Sequence, residues 1–410
     1  MPALGLALVQ PLEPDWQATL DCVARRHGWP TSRDVGRLAA ELAGLSEAYN
    51  DPARASAAVR HAGAARLGFA FARDVPKAAA AVRELIATRQ LKLERAAPRP
   101  LRVLDLGAGL GAASWGVVRA LEAAGMRGAV EAEWVDADPE ALELALEVVR
   151  EREGRGAVRL SVRTTRASID RLEPRGHFDV VLASHLLSEL DVGLAPETRL
   201  ERHAALLASM VRERVGEAGS LVIIEPALRD RTRHLHRVRD ALATLADVAI
   251  FSPCLHRERC PALDRETDWC HEDLPIDVPS WLAPVARAAG LRRQGLTFSY
   301  LVLRRDNRVV GDGLVIPPGS ARLRVVSDAM PSKGKREAFV CGELDHAGVR
   351  VAGRARLMRL DRDANERNAS WDEVCRGDLL AIRPAPAIDR PRIERGFDVT
   401  AAVPPADGEE

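Results

Sequence analysis

The sequence predicts an α/β protein: a doubly wound sheet, with a helical region before it and a small β-rich domain after it. Three observations carry this reading. Short apolar runs alternate with helical patterns between residues 98 and 308. Two of those runs, Phe178–Ser184 and residues 221–225, are almost continuously apolar, as central strands covered on both faces must be. A glycine-rich turn lies between the first run and the helical pattern that follows it.

Taken in order, residues 1–97 form the helical region. Apolar residues recur at helical spacing over 38–45, 55–69 and 78–91, with Asp51-Pro52 and Val75-Pro76 as helix starts. Two prolines make residues 95–100, RAAPRP, a linker. Strands follow at Leu101–Leu106, 130–136, 158–165 and Leu296–Arg304, with helices at 112–124 and 139–150. Residues 252–280 interrupt this order with Cys, Pro, Asp and His and little periodicity. Short strand-like runs at 322–326, 338–341, 354–359 and 379–382 make 309–400 the C-terminal β-rich domain, and 401–410 read as a frayed acidic tail.

With 410 residues, 47% of them hydrophobic and 29% charged, the chain can bury a large core, which excludes disorder throughout. Lys+Arg and Asp+Glu number 59 each, so any nucleic-acid surface must be local. Aromatics are 4%, which argues against base-stacking platforms. The start, MPALGLALVQPLEPDW, has no basic segment, and no apolar run reaches the roughly 18 residues of a membrane span. A cytoplasmic protein with no membrane partner and no DNA partner is expected. In a reducing compartment its six cysteines are read as metal ligands or catalysts before disulfides.

The turn reads Asp105-Leu-Gly107-Ala-Gly109-Leu-Gly111, and the next strand ends on an acid, Trp-Val-Asp136-Ala-Asp138. Glycines let the main chain approach a ligand, the helix start offers N–H donors, and a carboxylate at Asp136 can accept from ribose hydroxyls. The D-x-G-x-G form resembles the first motif of class I S-adenosylmethionine-dependent methyltransferases. That assigns Asp105, Gly107, Gly109, Gly111 and Asp136 to the donor. After the fourth strand, Ala183-Ser184-His185-Leu186 lacks the Asn/Asp-Pro-Pro-aromatic motif of many amino-group methyltransferases, which leaves His185 as the candidate base.

Cys254, Cys260 and Cys270 fall close together in SPCLHRERCPALDRETDWCH. A loop without regular structure can wrap a metal centre, and this spacing is open to an iron–sulfur cluster, zinc or no ligand at all. Cys341, Cys375, His256 and His271 are candidates for a fourth ligand.

Four segments together resemble a specific family: Asp105 to Gly111; Leu221-Val-Ile-Ile-Glu225-Pro226; the Pro253-Cys254, Cys260-Pro261 and Trp269-Cys270-His271 block; and Phe298-Ser-Tyr-Leu-Val-Leu303. The family is that of the methyltransferase-like proteins associated with the small ribosomal subunit, with mitochondrial members (the methyltransferase-like protein seventeen group) and bacterial relatives. The resemblance implies a class I methyltransferase-like (Rossmann-like) fold with a [4Fe–4S] cluster, association with the small ribosomal subunit and its rRNA, and Cys341 as the fourth ligand beside Cys254, Cys260 and Cys270. It fits an rRNA methyltransferase or a non-catalytic assembly factor. A small-molecule methyltransferase with a zinc site is the remaining alternative.

RNA-contacting candidates are Arg229, Arg231, Arg233, Arg237 and Arg239 in RDRTRHLHRVR, and Lys333 and Lys335 in PSKGKR. If a cluster holds the C-terminal domain to the core, Cys341→Ser should loosen that domain.

Overall fold

The computed structural model describes residues 3–50, 62–91, 99–169, 172 and 176–405, with the main chain alone for 46–50. Among these, the first sheet contains β1 (Leu101–Leu106), β2 (Gly128–Asp136), β3 (Val158–Arg166), β4 (Phe178–Ser184), β5 (Val215–Glu225), β6 (Ala249–Ser252), β7 (Glu272–Leu274) and β8 (Leu296–Arg304). Its order is β3-β2-β1-β4-β5-β8-β6, with β7 on β8. β1 to β5 are parallel, and β8 runs antiparallel between β5 and β6. Helices Ala112–Ala123, Pro139–Glu151, Pro196–Glu213 and Arg229–Ala243 connect the strands. This is a Rossmann-like methyltransferase sheet, reversing its winding between β1 and β4, where ligands of such sheets collect.

The N-terminal region supplies helices Pro14–Arg26, Val35–Asn50 and Phe71–Ala87. The last is buried almost all round, through Phe71, Val75, Ala78, Val82 and Leu85, so it is a core helix. Gly116 on the Ala112–Ala123 helix lets the two approach, since a Cβ there would run into the Val75 carbonyl and Ala78. Pro76, read as a helix start, lies inside this helix, and a π-turn at Arg66–Ala70 leads into it without a break. Burial of the alanine-rich face outweighs the one main-chain bond that the proline forgoes. The expected Asp51-Pro52 start, most of the linker and residues 55–61 lie outside the described residues.

The C-terminal sheet comprises β9 (Ala321–Val325), β10 (Met330–Ser332), β11 (Lys335–His346), β12 (Val349–Leu360), β13 (Leu379–Arg383), β14 (Arg392–Ile393) and β15 (Asp398–Ala401). Its order is β14-β12-β11-β9-β13-β15, with β10 on β11. Val340, Leu357, Trp371 and Ile382 give it a core of its own. The acidic tail starts later than the sequence suggests: Ala401 belongs to β15 and Val403 bridges Val315. No helix among the described residues is long and apolar enough to cross a membrane.

Candidate functional site

The tips of β1 and β2 meet at the glycine turn. Gly109 has φ 52° and Gly111 φ 74°, and a Cβ on Gly111 would run into the Trp134 ring, so both positions call for glycine. The Gly109 N–H donates to Asp136 Oδ2 at 2.7 Å, and the Asp138 N–H donates to Oδ1 of the same carboxylate at 2.9 Å. Asp136 thereby ties the turn to the end of β2 while staying partly exposed. Asp105 does something different from what the sequence suggests. Its side chain is buried beneath the turn, where Oδ2 accepts from the Ser114 hydroxyl at 2.7 Å, and that hydroxyl accepts from Trp134 Nε1 at 2.8 Å. It positions the helix start, accepting from the Ser114 N–H as well. Burial pushes its carboxyl up to about 7.

Sequence reasoning missed two residues at this turn. Arg66, on the π-turn, reaches over Gly109 and stands 3.5 Å from Asp138 Oδ2. Glu189 faces Arg66, Asp136 and Arg231, and its carboxyl is raised by burial. Neither belongs to a local motif; the fold alone brings them here.

At the end of β4, His185 adopts φ 59° and its main-chain N–H donates to the Ile224 carbonyl at 2.7 Å. Its Nε2 is buried with no hydrogen-bond partner. Burial holds the imidazole down at about 4, with Asp74, Lys77 and Arg231 around it, so it is neutral at pH 7. At the end of β5, Glu225 accepts from the Leu187 N–H at 2.9 Å and from the Ser188 hydroxyl, and burial raises it to about 7.

The second locus is a cavity of about 60 Å³ whose lining includes Cys254, Cys260, Cys270 and Cys341. All four are free thiols. Cys341 comes from β11, and its pairing partners on the flanking strands are Arg324 on β9 and Arg354 on β12. Paired residues share a face, so the row Arg324, Cys341, Arg354 presents one thiol between two guanidiniums to the cavity. His256 Nε2 lies 3.5 Å from Cys341 Sγ. Burial and the neighbouring sulfurs push Cys270 up to about 11 and raise Cys260 and Cys341 as well. Cys375 is exposed, its Sγ against the Glu373 carbonyl, and Cys22 lies on the first helix.

Among the described residues no three His, Cys, Asp or Glu side chains are grouped to hold a metal ion. The structure brings together the donor set; a metal loop as such is not shown.

The basic candidates divide. Arg229 and Arg237 are exposed on the Arg229–Ala243 helix, and Arg231 is partly buried at its start. Arg233 instead turns onto the cysteine loop and donates to the carbonyls of Ala262, Arg265 and Asp268 at 3.0, 2.7 and 2.7 Å. Arg239 is 1% exposed and donates to the carbonyls of His256 and Glu258. Both spend donors on the loop, whose irregular backbone needs them. Lys333 is exposed at the turn between β10 and β11, and Lys335 pairs with Glu337 at 3.0 Å.

Comparison with known proteins follows this geometry. No curated protein matches the chain in sequence. Solved structures of similar shape include the plantazolicin methyltransferase BpumL in complex with S-adenosylhomocysteine (11% identity, 67% of this chain and 98% of that one, TM-score 0.34). The 16S rRNA methylase RmtB is another (16%, 72% and 92%, 0.32). So is the N-methyltransferase NodS from Bradyrhizobium japonicum WM9 (11%, 57% and 87%, 0.32). Scores this low add no weight, and the strand order carries the fold. A family model does match, over residues 67–371, spanning the core helix, the first sheet, the cysteine loop and much of the second sheet. The chain belongs to the family described as mitochondrial small ribosomal subunit Rsm22.

Proposed function

We propose that this protein associates with the small ribosomal subunit, binds S-adenosylmethionine at the glycine turn, holds a [4Fe–4S] cluster on Cys254, Cys260, Cys270 and Cys341, and acts on rRNA. The observation that carries the reading is the convergence of these four thiols from distant segments on one cavity, in a chain of a small-subunit family. Arg239, Arg324 and Arg354 line the same cavity, and their charge suits an anionic cluster.

When bound, the cluster supplies a covalent bridge between the cysteine loop and β11. When bound, S-adenosylmethionine supplies an electrophilic methyl group. The chain's own part is positional. The turn offers main-chain donors, Asp136 accepts from ribose hydroxyls, and Arg66 covers the turn. His185, neutral and buried, takes the acceptor's proton. The second reading is an assembly factor that binds the donor without turnover; the absent acceptor motif after β4 favours it.

The test is transfer of labelled methyl from S-adenosylmethionine to small subunits from cells lacking this protein, using protein purified without oxygen and assayed for iron and sulfide. Label in rRNA, with iron and sulfide in the protein, supports the reading. Binding to immature subunits without label supports the assembly factor, and stoichiometric zinc overturns the cluster. Cys341→Ser should lose iron yet keep the sheets docked, in contrast to the loosening expected from sequence. Arg324 holds β9 to the core without the thiol, through Glu84 at 2.7 Å and the Pro253 carbonyl at 2.6 Å.

A further inference from the structure

Another opening beside the strand tips is distinct from both the glycine turn and the cysteine cavity. It is a cleft of about 390 Å³ over the ends of β4 and β5, within the size range of small-ligand sites. Glu225 and Ser188 line it, and Val192 and Leu194 form an apolar wall. Arg199, Arg231, Arg233 and Arg237 also line it, against the carboxyls of Glu225 and Asp230. Glu225 is itself raised to about 7, so cationic character dominates at neutral pH.

Two features make this more than a solvated helix face. Val192 and Leu194 are 41% and 38% exposed, and Leu228 nearby is 47% exposed. Among the described residues six large apolar side chains are exposed; two of them line this cleft, and Leu228 lies two residues before its Asp230. Arg233 and Arg237 also line a second cleft of about 370 Å³, together with Asp240, Arg259 and Leu263. The two clefts adjoin across the Arg229–Ala243 helix.

We infer that the first cleft receives one unstacked nucleotide of a single-stranded RNA, its base against Val192 and Leu194 and its phosphate on Arg231 and Arg237, while the next nucleotide follows Arg237 into the second cleft. This deepens the small-subunit RNA reading above and rests on it. Apolar walls beside guanidiniums suit a ligand with a flat apolar face and a regularly repeated negative charge. A duplex must first unstack and unpair a base to insert one, a cost that a single strand does not face. Arg231 also faces His185 and Glu189, so a nucleotide held there lies beside the donor turn. Arg199 shapes the wall by donating to the carbonyls of Leu187 and Leu190.

The test titrates the whole protein into a short fluorescein-labelled single-stranded RNA of mixed sequence, into its duplex, and into an acidic peptide of equal charge. Variants are Arg237→Glu and Leu194→Ser, with Arg127→Glu as control, an exposed arginine just before β2 and so at the opposite ends of the parallel strands. Arg237→Glu should weaken single-strand binding about tenfold or more and lower the salt slope by about 1, with the control unchanged. Thiouridine-substituted RNA should crosslink to the 190–200 segment in wild type and lose that crosslink in Leu194→Ser. Wild-type binding with both variants unaffected, equal affinity for duplex, or preference for the peptide overturns the cleft assignment and leaves the small-subunit reading intact. No binding to this RNA or to small subunits overturns both.

Discussion

Arg324 on β9 grips Glu84 on the Phe71–Ala87 helix with both arms of its guanidinium, Nη1 to Oε1 at 2.7 Å and Nη2 to Oε2 at 3.1 Å. Both side chains are buried, and the pair joins the N-terminal core helix to the C-terminal sheet. Arg83 and Glu272 pair beside it at 2.8 Å, and the Tyr300 hydroxyl donates to Glu84 at 3.4 Å. Attraction to Arg324 and Arg83 holds the Glu84 carboxyl below its ordinary range despite burial.

Arg324→Ala leaves that carboxylate buried and half-paired, and should cost about 3–5 kcal/mol in urea unfolding. The double variant Glu84→Gln, Arg324→Met should recover much of the loss. Because the Glu84 pKa is depressed in the fold, its contribution is complete above the unfolded carboxylate pKa and disappears as pH falls through the folded one. Equal losses in single and double variants would refute the pairing as the cause.

Arg233→Ala strips the cysteine loop of donors to the Ala262, Arg265 and Asp268 carbonyls. Iron content after anaerobic purification should fall several-fold, and proteolysis should cut within residues 261–269. RNA affinity should change far less than in Arg237→Glu. The reverse ranking would return Arg233 to the RNA surface.

Asp105 gives a pH signature. Its carboxyl is raised from 3.8 to about 7, so between those values the folded chain holds a proton that the unfolded chain releases. Stability from this group is complete below 3.8 and is lost as pH rises through about 7. Asp105→Asn keeps an oxygen for Ser114 and removes the titration. It should match wild type below pH about 3.8 and melt increasingly higher as pH rises from there to about 7, as read by calorimetry. A constant offset across pH would mean that Asp105 is charged in the fold.

His185→Asn tests the base without disturbing the backbone, since asparagine tolerates the left-handed φ of 59°. Labelled methyl transfer should fall about a hundredfold with donor affinity unchanged. Undiminished transfer would remove His185 from the chemistry.

The strands at Leu101–Leu106, Phe178–Ser184 and Leu296–Arg304 were legible to the residue, because a strand buried on both faces writes itself as a mostly apolar run whichever way it pairs. β11 was not. Its readable run stops at Gly342, where a Cβ would collide with the Arg322 carbonyl on β9, so the glycine marks a close strand approach rather than an end. The glycine turn and the thiols were legible because their chemistry is local or rare. Arg66, Glu189 and the row Arg324, Cys341, Arg354 were not, since each acts across a separation that only the folded chain closes. The arginine cluster shows the opposite failure: the sequence records five like residues, and only the folded cysteine loop, whose carbonyls Arg233 and Arg239 bind, sets those two apart.

The position of Cys341 in the chain has a consequence for biosynthesis. Three thiols emerge from the ribosome before β8, and the fourth only after β9 has been made. A nascent or truncated chain lacking β11 therefore presents three thiols around a gap, with no strand to close it. The cavity is complete only in a chain long enough to have paired β11 with β9, so loading at this site would tell finished molecules from unfinished ones.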